Sequence, residues 1–299
     1  MPIKHFVFSG GGPVGFKVLG ILQQLQQNNI WNIKDIESIY ATSIGSATAV
    51  VVALNYDWEI IRKYCVERPW SDVYNVTPDQ LFNMYNTMGI FNISYFKIFF
   101  KPLFDAKNIS MSITMEEFYE YTKIDLHFYS VELNKYELHD ISYKTHPKLS
   151  LIQAVYMSSA IPFVFSPICF DGKCYIDGGV INNYPLEYCI KEHPEEDEIM
   201  AFKNVYISEK PKIVCEKSNI LDYTSKFSDI IISNLSIEKE IEIKNKVECT
   251  SRGFNLDFFN TALQSSAFRQ ELFDDGIQTA IDWVRKKEQQ NDDDDVRDK

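Results

Sequence analysis

Ile3-Lys4-His5-Phe6-Val7-Phe8-Ser9-Gly10-Gly11-Gly12-Pro13-Val14-Gly15 opens with an apolar run that breaks on three glycines, and the alternation downstream of this break decides the fold. Apolar spacing predicts a helix over residues 16–27, a strand over 36–40, a sharp turn at Ala41-Thr42-Ser43 and a helix over 44–54. Strands alternating with helices imply a mainly parallel sheet covered by helices, because a parallel neighbour is reached only through a crossover. The pattern persists outward. Thr114-Met115-Glu116-Glu117 has the spacing of a capping box, opening a helix that runs to Thr122. Strands are predicted over 124–133 and 136–143, a helix over 149–157, and a short strand Cys174-Tyr175-Ile176 that enters Asp177-Gly178-Gly179. Beyond lie a strand over 199–208 and helices over 221–240 and 261–284.

With 299 residues, 45% of them hydrophobic, the chain can bury a full-sized core. The layout expected is a core over 1–190, a C-terminal part over 191–285 packed on the same domain, and an acidic, irregular tail over 286–299. A formal net charge of −12 opposes binding to phosphate backbones, so nucleic acid is not an expected partner. The six cysteines lack metal-ligand spacing and are expected as reduced thiols. The N-terminus shows no signal-peptide pattern, and no apolar run approaches the roughly 20 residues of a membrane-spanning helix. A cytoplasmic protein, reaching membranes only peripherally, is the expectation.

The glycine turn from Gly10 to Gly15 stands between a strand and a helix, where backbone amides and a helix dipole can hold an anion. Three readings are open: an oxyanion loop, a structural turn, or a dinucleotide site, since Gly10, Gly12 and Gly15 meet the G-x-G-x-x-G spacing. The dinucleotide reading lacks the acidic residue that should end the second strand, where Ile39-Tyr40-Ala41 stands.

Ala41-Thr42-Ser43-Ile44-Gly45 has the form of a nucleophile elbow, G-x-S-x-G, with Ala41 in place of the first glycine. Ser43 is read either as a nucleophile exposed on a strained turn or as an ordinary helix N-cap. A serine needs a base. Of His5, His127, His139, His146 and His193, only His193 follows Asp177 as the Ser–Asp–His chain order requires, and its polar surroundings predict a solvated side chain. Asp177 can serve directly if burial raises its pKa toward the working pH, or it can be merely the first residue of a turn.

Taken together, these three motifs resemble the patatin-like phospholipase family, which carries a G-G-G-x-[RK]-G loop, a G-x-S-x-G elbow and a D-G-[GA] turn in this order. The flanks Ala154-Val155-Tyr156-Met157-Ser158-Ser159-Ala160-Ile161-Pro162 and Val180-Ile181-Asn182-Asn183-Tyr184-Pro185 are similar too, and the resemblance spans about residues 3–190. It implies a patatin-like three-layer α/β/α fold and hydrolysis of acyl esters in phospholipids or other glycerolipids, with no metal or cofactor. Carried over to this sequence, Ser43 would be the nucleophile and Asp177 its base. The amides of Gly10, Gly11 and Gly12 would form the oxyanion hole, supported by Gly15, Ala41, Gly45, Gly178 and Gly179. Val14 stands at the family's basic position, with Lys17 one helical turn on as a substitute charge. Two other classes remain open, a catalytically inactive lipid-binding relative and a nucleotide-binding α/β protein. Residues 81–104 are crowded with large apolar side chains, among them Phe82, Tyr85, Phe96, Phe99 and Phe100, read as ordinary core packing or as an acyl pocket and lipid-facing surface.

Overall fold

The computed structural model describes residues 1–74, 77–170, 172–206, 213–218, 222–223, 226–227, 230, 241–251 and 256–297. Most of the helix expected over 221–240 therefore lies outside the described residues.

A mixed sheet of eight strands forms the centre: β1 His5–Phe8, β2 Ser38–Thr42, β4 Asp125–Glu132, β5 Glu137–Ile141, β7 Ile168–Phe170, β8 Lys173–Asp177, β9 Ile199–Tyr206 and β10 Lys246–Ser251. Its order is β10-β9-β1-β2-β4-β8-β7, with β5 paired to β4. Neighbours from β10 to β4 run parallel, while β5, β7 and β8 join antiparallel. A small separate pair, β3 Gly89–Phe91 with β6 Phe163–Phe165, lies outside it.

Successive side chains on a strand point to opposite faces, and the two helical layers separate accordingly. Phe6, Phe8, Ile39, Ala41, Leu126, Phe128, Met200 and Phe202 enter the larger core. Helices α1 Val14–Gln27, α2 Ile44–Ala53 and α7 Leu151–Ser159 supply the rest of it. The alternate residues Val7, Tyr40, Tyr129, Ile199 and Ala201 form a smaller core with Leu186 and Cys189 of α8 Leu186–Glu192. Two apolar layers on one sheet give the expected α/β/α arrangement.

Two helices after β10, α9 Leu256–Gln264 and α10 Ser266–Arg297, complete the described C-terminal part. Helix α10 crosses α1 so closely that a Cβ on Gly20 would lie 2.0 Å from the Phe273 carbonyl oxygen, and one on Gly276 2.1 Å from that of Lys17. Glycine is required at both positions for this approach. Lys17 Nζ sits 2.6 Å from Asp275 Oδ2 and donates to the Thr250 carbonyl at 3.2 Å. Its charge therefore ties α10 to α1 and does not replace a basic residue at the glycine loop. Helix α10 runs to Arg297 and takes in the acidic run Asp292–Asp295.

Two expectations are corrected. Cys169 and Cys174 face each other across the β7–β8 hairpin and are joined as a disulfide, leaving Cys65, Cys189, Cys215 and Cys249 as thiols. His193, just after α8, is half-buried and not fully solvated: it stacks on His5 with ring centroids 3.6 Å apart. No helix among the described residues is long and apolar enough to cross a membrane.

Candidate active site

Strand β4 aligns the two residues that the sequence left 134 positions apart. It pairs with β2 up to Thr42 opposite Tyr129, and from the next residue it pairs with β8, Asp177 opposite Ser130. The last residue of one strand and the turn after the other thus share one stretch of β4. Ser43 Oγ donates to Asp177 Oδ2 at 2.5 Å.

Ser43 has φ +56° and ψ −128°, a left-handed conformation that costs a non-glycine residue about 1–3 kcal/mol. The surroundings hold it there. Its N–H donates to Ser158 Oγ at 3.0 Å, and its carbonyl accepts from the amide of Ser46 at 2.8 Å and from Ser46 Oγ at 2.6 Å. Although Ser43 occupies the N-cap position of α2, its hydroxyl makes no capping bond. Ala41 fits without disturbing the turn, because it lies inside β2 between Phe8 and Phe128 and adds its methyl to the core.

Asp177 is 4% exposed. Burial without any cation raises its carboxyl from 3.8 to about 7, against the opposing hydrogen bonds from Ser43 and the Gly179 amide. Its Oδ1 accepts from Gly179 N–H at 2.7 Å, so one oxygen organises the turn while the other faces the serine. The residue thus opens a turn, as one of its two sequence readings had it.

The glycine loop divides its amides. Gly10 N–H donates to the Asn183 carbonyl at 2.9 Å and is not free for a ligand. The Gly10 carbonyl in turn accepts from Asn183 Nδ2 at 3.2 Å and Asn204 Nδ2 at 3.3 Å. Gly11 and Gly12, whose amides find no acceptor among the described residues, line a recess with Ser43, Asp177 and Asn183. Gly12 has φ +55°, a turn that aims the loop into α1 and that side-chain-bearing residues resist. Sequence reasoning assigned no role to Ser158, Asn183 or Asn204. The usable signal for Asn204 was a polar residue within an apolar strand, since it is 8% exposed in β9.

A second recess opens beside Ser43, walled by Trp70, Tyr74, Phe96, Phe99, Ile161 and Phe165, and among the described residues neither recess is lined by Lys or Arg. The apolar segment 81–104 therefore splits. Phe96 and Phe99 of α5 Ile93–Asp105 face this cleft, whereas Phe100, Leu103 and Phe104 are core. Phe82, Tyr85 and Met88, 82%, 92% and 56% exposed, form a bare ridge on and just after α4 Pro78–Thr87.

A family model described as patatin-like phospholipase matches residues 6–190. The probable lipid hydrolase 463L of Invertebrate iridescent virus 6 is 28% identical over 218 residues, 70% of this chain and 73% of that protein. The uncharacterized protein R571 of Acanthamoeba polyphaga mimivirus is 24% identical over 295 residues, 95% of this chain and 94% of that protein. Among solved structures, VipD from Legionella pneumophila superposes with a TM-score of 0.50 at 18% identity, covering 92% of this chain and 67% of that one. The ExoU–SpcU complex from the type III secretion system of Pseudomonas aeruginosa gives 0.51 at 11% identity, covering 95% of this chain and 52% of the matched chain. At such identities the structures speak for the fold alone. The family model spans well over half of the 299 residues and contains the loop, the elbow and the aspartate turn, and the chain belongs to the patatin-like phospholipase family.

Proposed function

We propose that the chain is a lipid acyl hydrolase working through a Ser43–Asp177 dyad, and the observation that carries this reading is the 2.5 Å contact between Ser43 Oγ and a buried carboxylate poised at about 7. A serine hydroxyl becomes nucleophilic when an adjacent base removes its proton, and a base works best with a pKa near the working pH. Asp177 takes the proton as Oγ adds to the ester carbonyl, then returns it to the departing alcohol, and water repeats the sequence to release the acid. The amides of Gly11 and Gly12 receive the oxyanion, where each preorganised donor contributes roughly 2.7–4 kcal/mol. Gly10, committed to Asn183, supports the loop instead.

The aromatic cleft beside Ser43 supplies an apolar bed for an acyl chain. Tyr95 links it to the bare ridge, stacking on Tyr74 with centroids 5.2 Å apart and accepting a bond from Gln80 of α4 at 2.6 Å. Phe82 and Tyr85 then rest on the lipid surface from which substrate enters. A Phe82→Ser/Tyr85→Ser variant should bind phosphatidylcholine vesicles several-fold more weakly while hydrolysing a short soluble ester at the wild-type rate; unchanged vesicle binding would remove the ridge from the reading. The apolar cleft, lined by no Lys or Arg among the described residues, disfavours a nucleotide ligand.

The deciding measurement is hydrolysis of a panel of phospholipids and neutral glycerolipids by wild type and Ser43→Ala, beside labelling with a fluorophosphonate. Turnover and labelling confined to the wild type support the dyad. Equal inactivity of both proteins would favour a lipid-binding relative without turnover.

A further inference from the structure

On the reading that the cleft beside Ser43 takes an acyl chain, we infer that α9 is the wall that selects a long, unbranched chain and that Arg269 is the residue that positions this wall. Phe259, Ala262 and Leu263 stand at i, i+3 and i+4, a single stripe of the helix, and all three line the cleft. Phe258, one position back, turns away and meets Phe268 of α10 edge-on with centroids 5.7 Å apart. Phe259 meets Phe165 of β6 edge-on at 6.4 Å, so α9 closes the cleft against the small β3–β6 pair. Helices α1, α2 and α5 supply Phe16, Ile44, Ala47, Phe96 and Phe99 to the same space. A cleft that reaches from Ser43 to α9 offers more apolar surface than an acetyl group covers, and each methylene it withdraws from water tightens binding about fourfold.

A buried cation fixes this wall in place. Arg269, on the first turns of α10, is 1% exposed, and its guanidinium donates to four backbone carbonyls. Nη1 reaches Ala262 at 2.6 Å and Leu263 at 3.2 Å, in the last turn of α9, where carbonyls lack partners within the helix and the dipole favours positive charge. Nε reaches Val66 at 2.8 Å and Nη2 reaches Arg68 at 2.5 Å. Those two residues lead into Trp70, whose indole N–H donates to the Cys65 carbonyl at 2.8 Å and whose ring stacks on Phe99 at 5.3 Å. A single guanidinium thereby joins two walls of the cleft, Trp70 and α9. The planar fork of arginine suits this bridge, and the compact ammonium of lysine does not.

Chemistry and selection then fall to different parts of the chain. Ser43, Asp177 and the glycine loop lie within the residues 6–190 matched by the family model, whereas α9 and Arg269 lie beyond them.

The test compares 4-nitrophenyl laurate with 4-nitrophenyl butyrate on full-length wild type, Leu263→Phe and Leu263→Trp. Wild type should favour laurate in kcat/KM. Leu263→Trp, by filling the space of about two methylenes, should lower the laurate-to-butyrate ratio at least about tenfold, mostly through KM, and Leu263→Phe about threefold. Arg269→Gln should lower the same ratio and Arg269→Lys restore part of it, whereas a residue that merely supports the fold would affect both esters alike. Calorimetric titration with laurate at pH 6, in a Ser43→Ala background with and without each Leu263 substitution, reads the wall without turnover; the same weakening is expected. Leu263-dependent laurate binding by a protein that hydrolyses neither ester would remove the dyad and keep the wall. A wild-type preference for butyrate, an ester ratio unchanged in Leu263→Trp, or laurate bound equally or not at all in the Ser43→Ala background overturns the inference. Should Leu263→Trp fail to fold, Leu263→Phe decides in both assays.

Discussion

Two buried ionisable centres lie three residues apart along β4, Asp177 opposite Ser130 and His127 between Asp125 and Asp140, and they respond to burial in opposite ways. Among the described residues Asp177 meets no cation and only two hydrogen-bond donors, so burial prevails and holds its carboxyl near 7. Burial also presses on His127, lowering its pKa, but hydrogen bonds to Asp125 and Asp140 outweigh it and raise the imidazole to about 9. Asp125 feels the same burial and is nonetheless held below its usual range by His127 and Lys144. An ionisable group left short of partners is poised to exchange protons, whereas one surrounded by partners is fixed in one state. On the proposed reading the first serves as a base, the second as a structural anchor.

The sharpest way to break the comparison is to remove the reactive centre. Asp177→Asn should lower kcat at least about 10⁴-fold with the fold intact, and in the wild type kcat/KM should rise with pH through about 7 and level off above it as Asp177 ionises. A flat profile across pH 5–8 would deny Asp177 the role of base.

The same substitution reads stability in the opposite direction. A carboxyl at about 7 when folded and about 3.8 when unfolded favours the protonated fold, so its contribution is complete below about 3.8 and lost as pH rises through about 7. At pH 8 the buried charge costs up to about 4 kcal/mol. Asp177→Asn should therefore melt higher than wild type at pH 8, with the gain shrinking toward pH 4; a pH-independent difference would mean the charge is not desolvated.

A smaller effect should come from Gly12→Ala. It strains a φ of +55° and moves the amides at the oxyanion, lowering kcat about 10²-fold in steady-state assays with KM little changed. The least effect belongs to the partnered centre. Tyr40→Phe removes the hydroxyl bond to Glu192 and should cost about 1 kcal/mol in urea denaturation while leaving kcat untouched. A fall in kcat comparable to that of Gly12→Ala would show that the two centres are coupled through β4.

Much of this site was legible in contiguous residues, because turn chemistry is local. Three glycines after a strand, a serine between small residues and an aspartate before two glycines each describe a backbone shape that few other sequences adopt. The strained Ser43, the Asp177 turn and the alternation that builds the sheet were readable for that reason. Individual partners were not. Gly10 resembles Gly11 and Gly12 in sequence, yet its amide is taken by Asn183, 173 positions away. Lys17 is one helical turn from the loop, yet it answers to Asp275, which only the crossing of α10 over α1 brings near. The aromatics of residues 81–104 look alike in composition but divide among core, cleft and surface according to which neighbour each helix face meets.

From the sequence alone came the order of the motifs, the chemistry each can support and the faces of the strands, since these depend on residues a few positions apart. Tertiary structure alone decided that Ser43 and Asp177 meet along β4, which amides stay free, and that Asp177 is dry enough to hold a proton near neutrality. Burial and long-range pairing are properties of packing, and no short stretch of chain contains them.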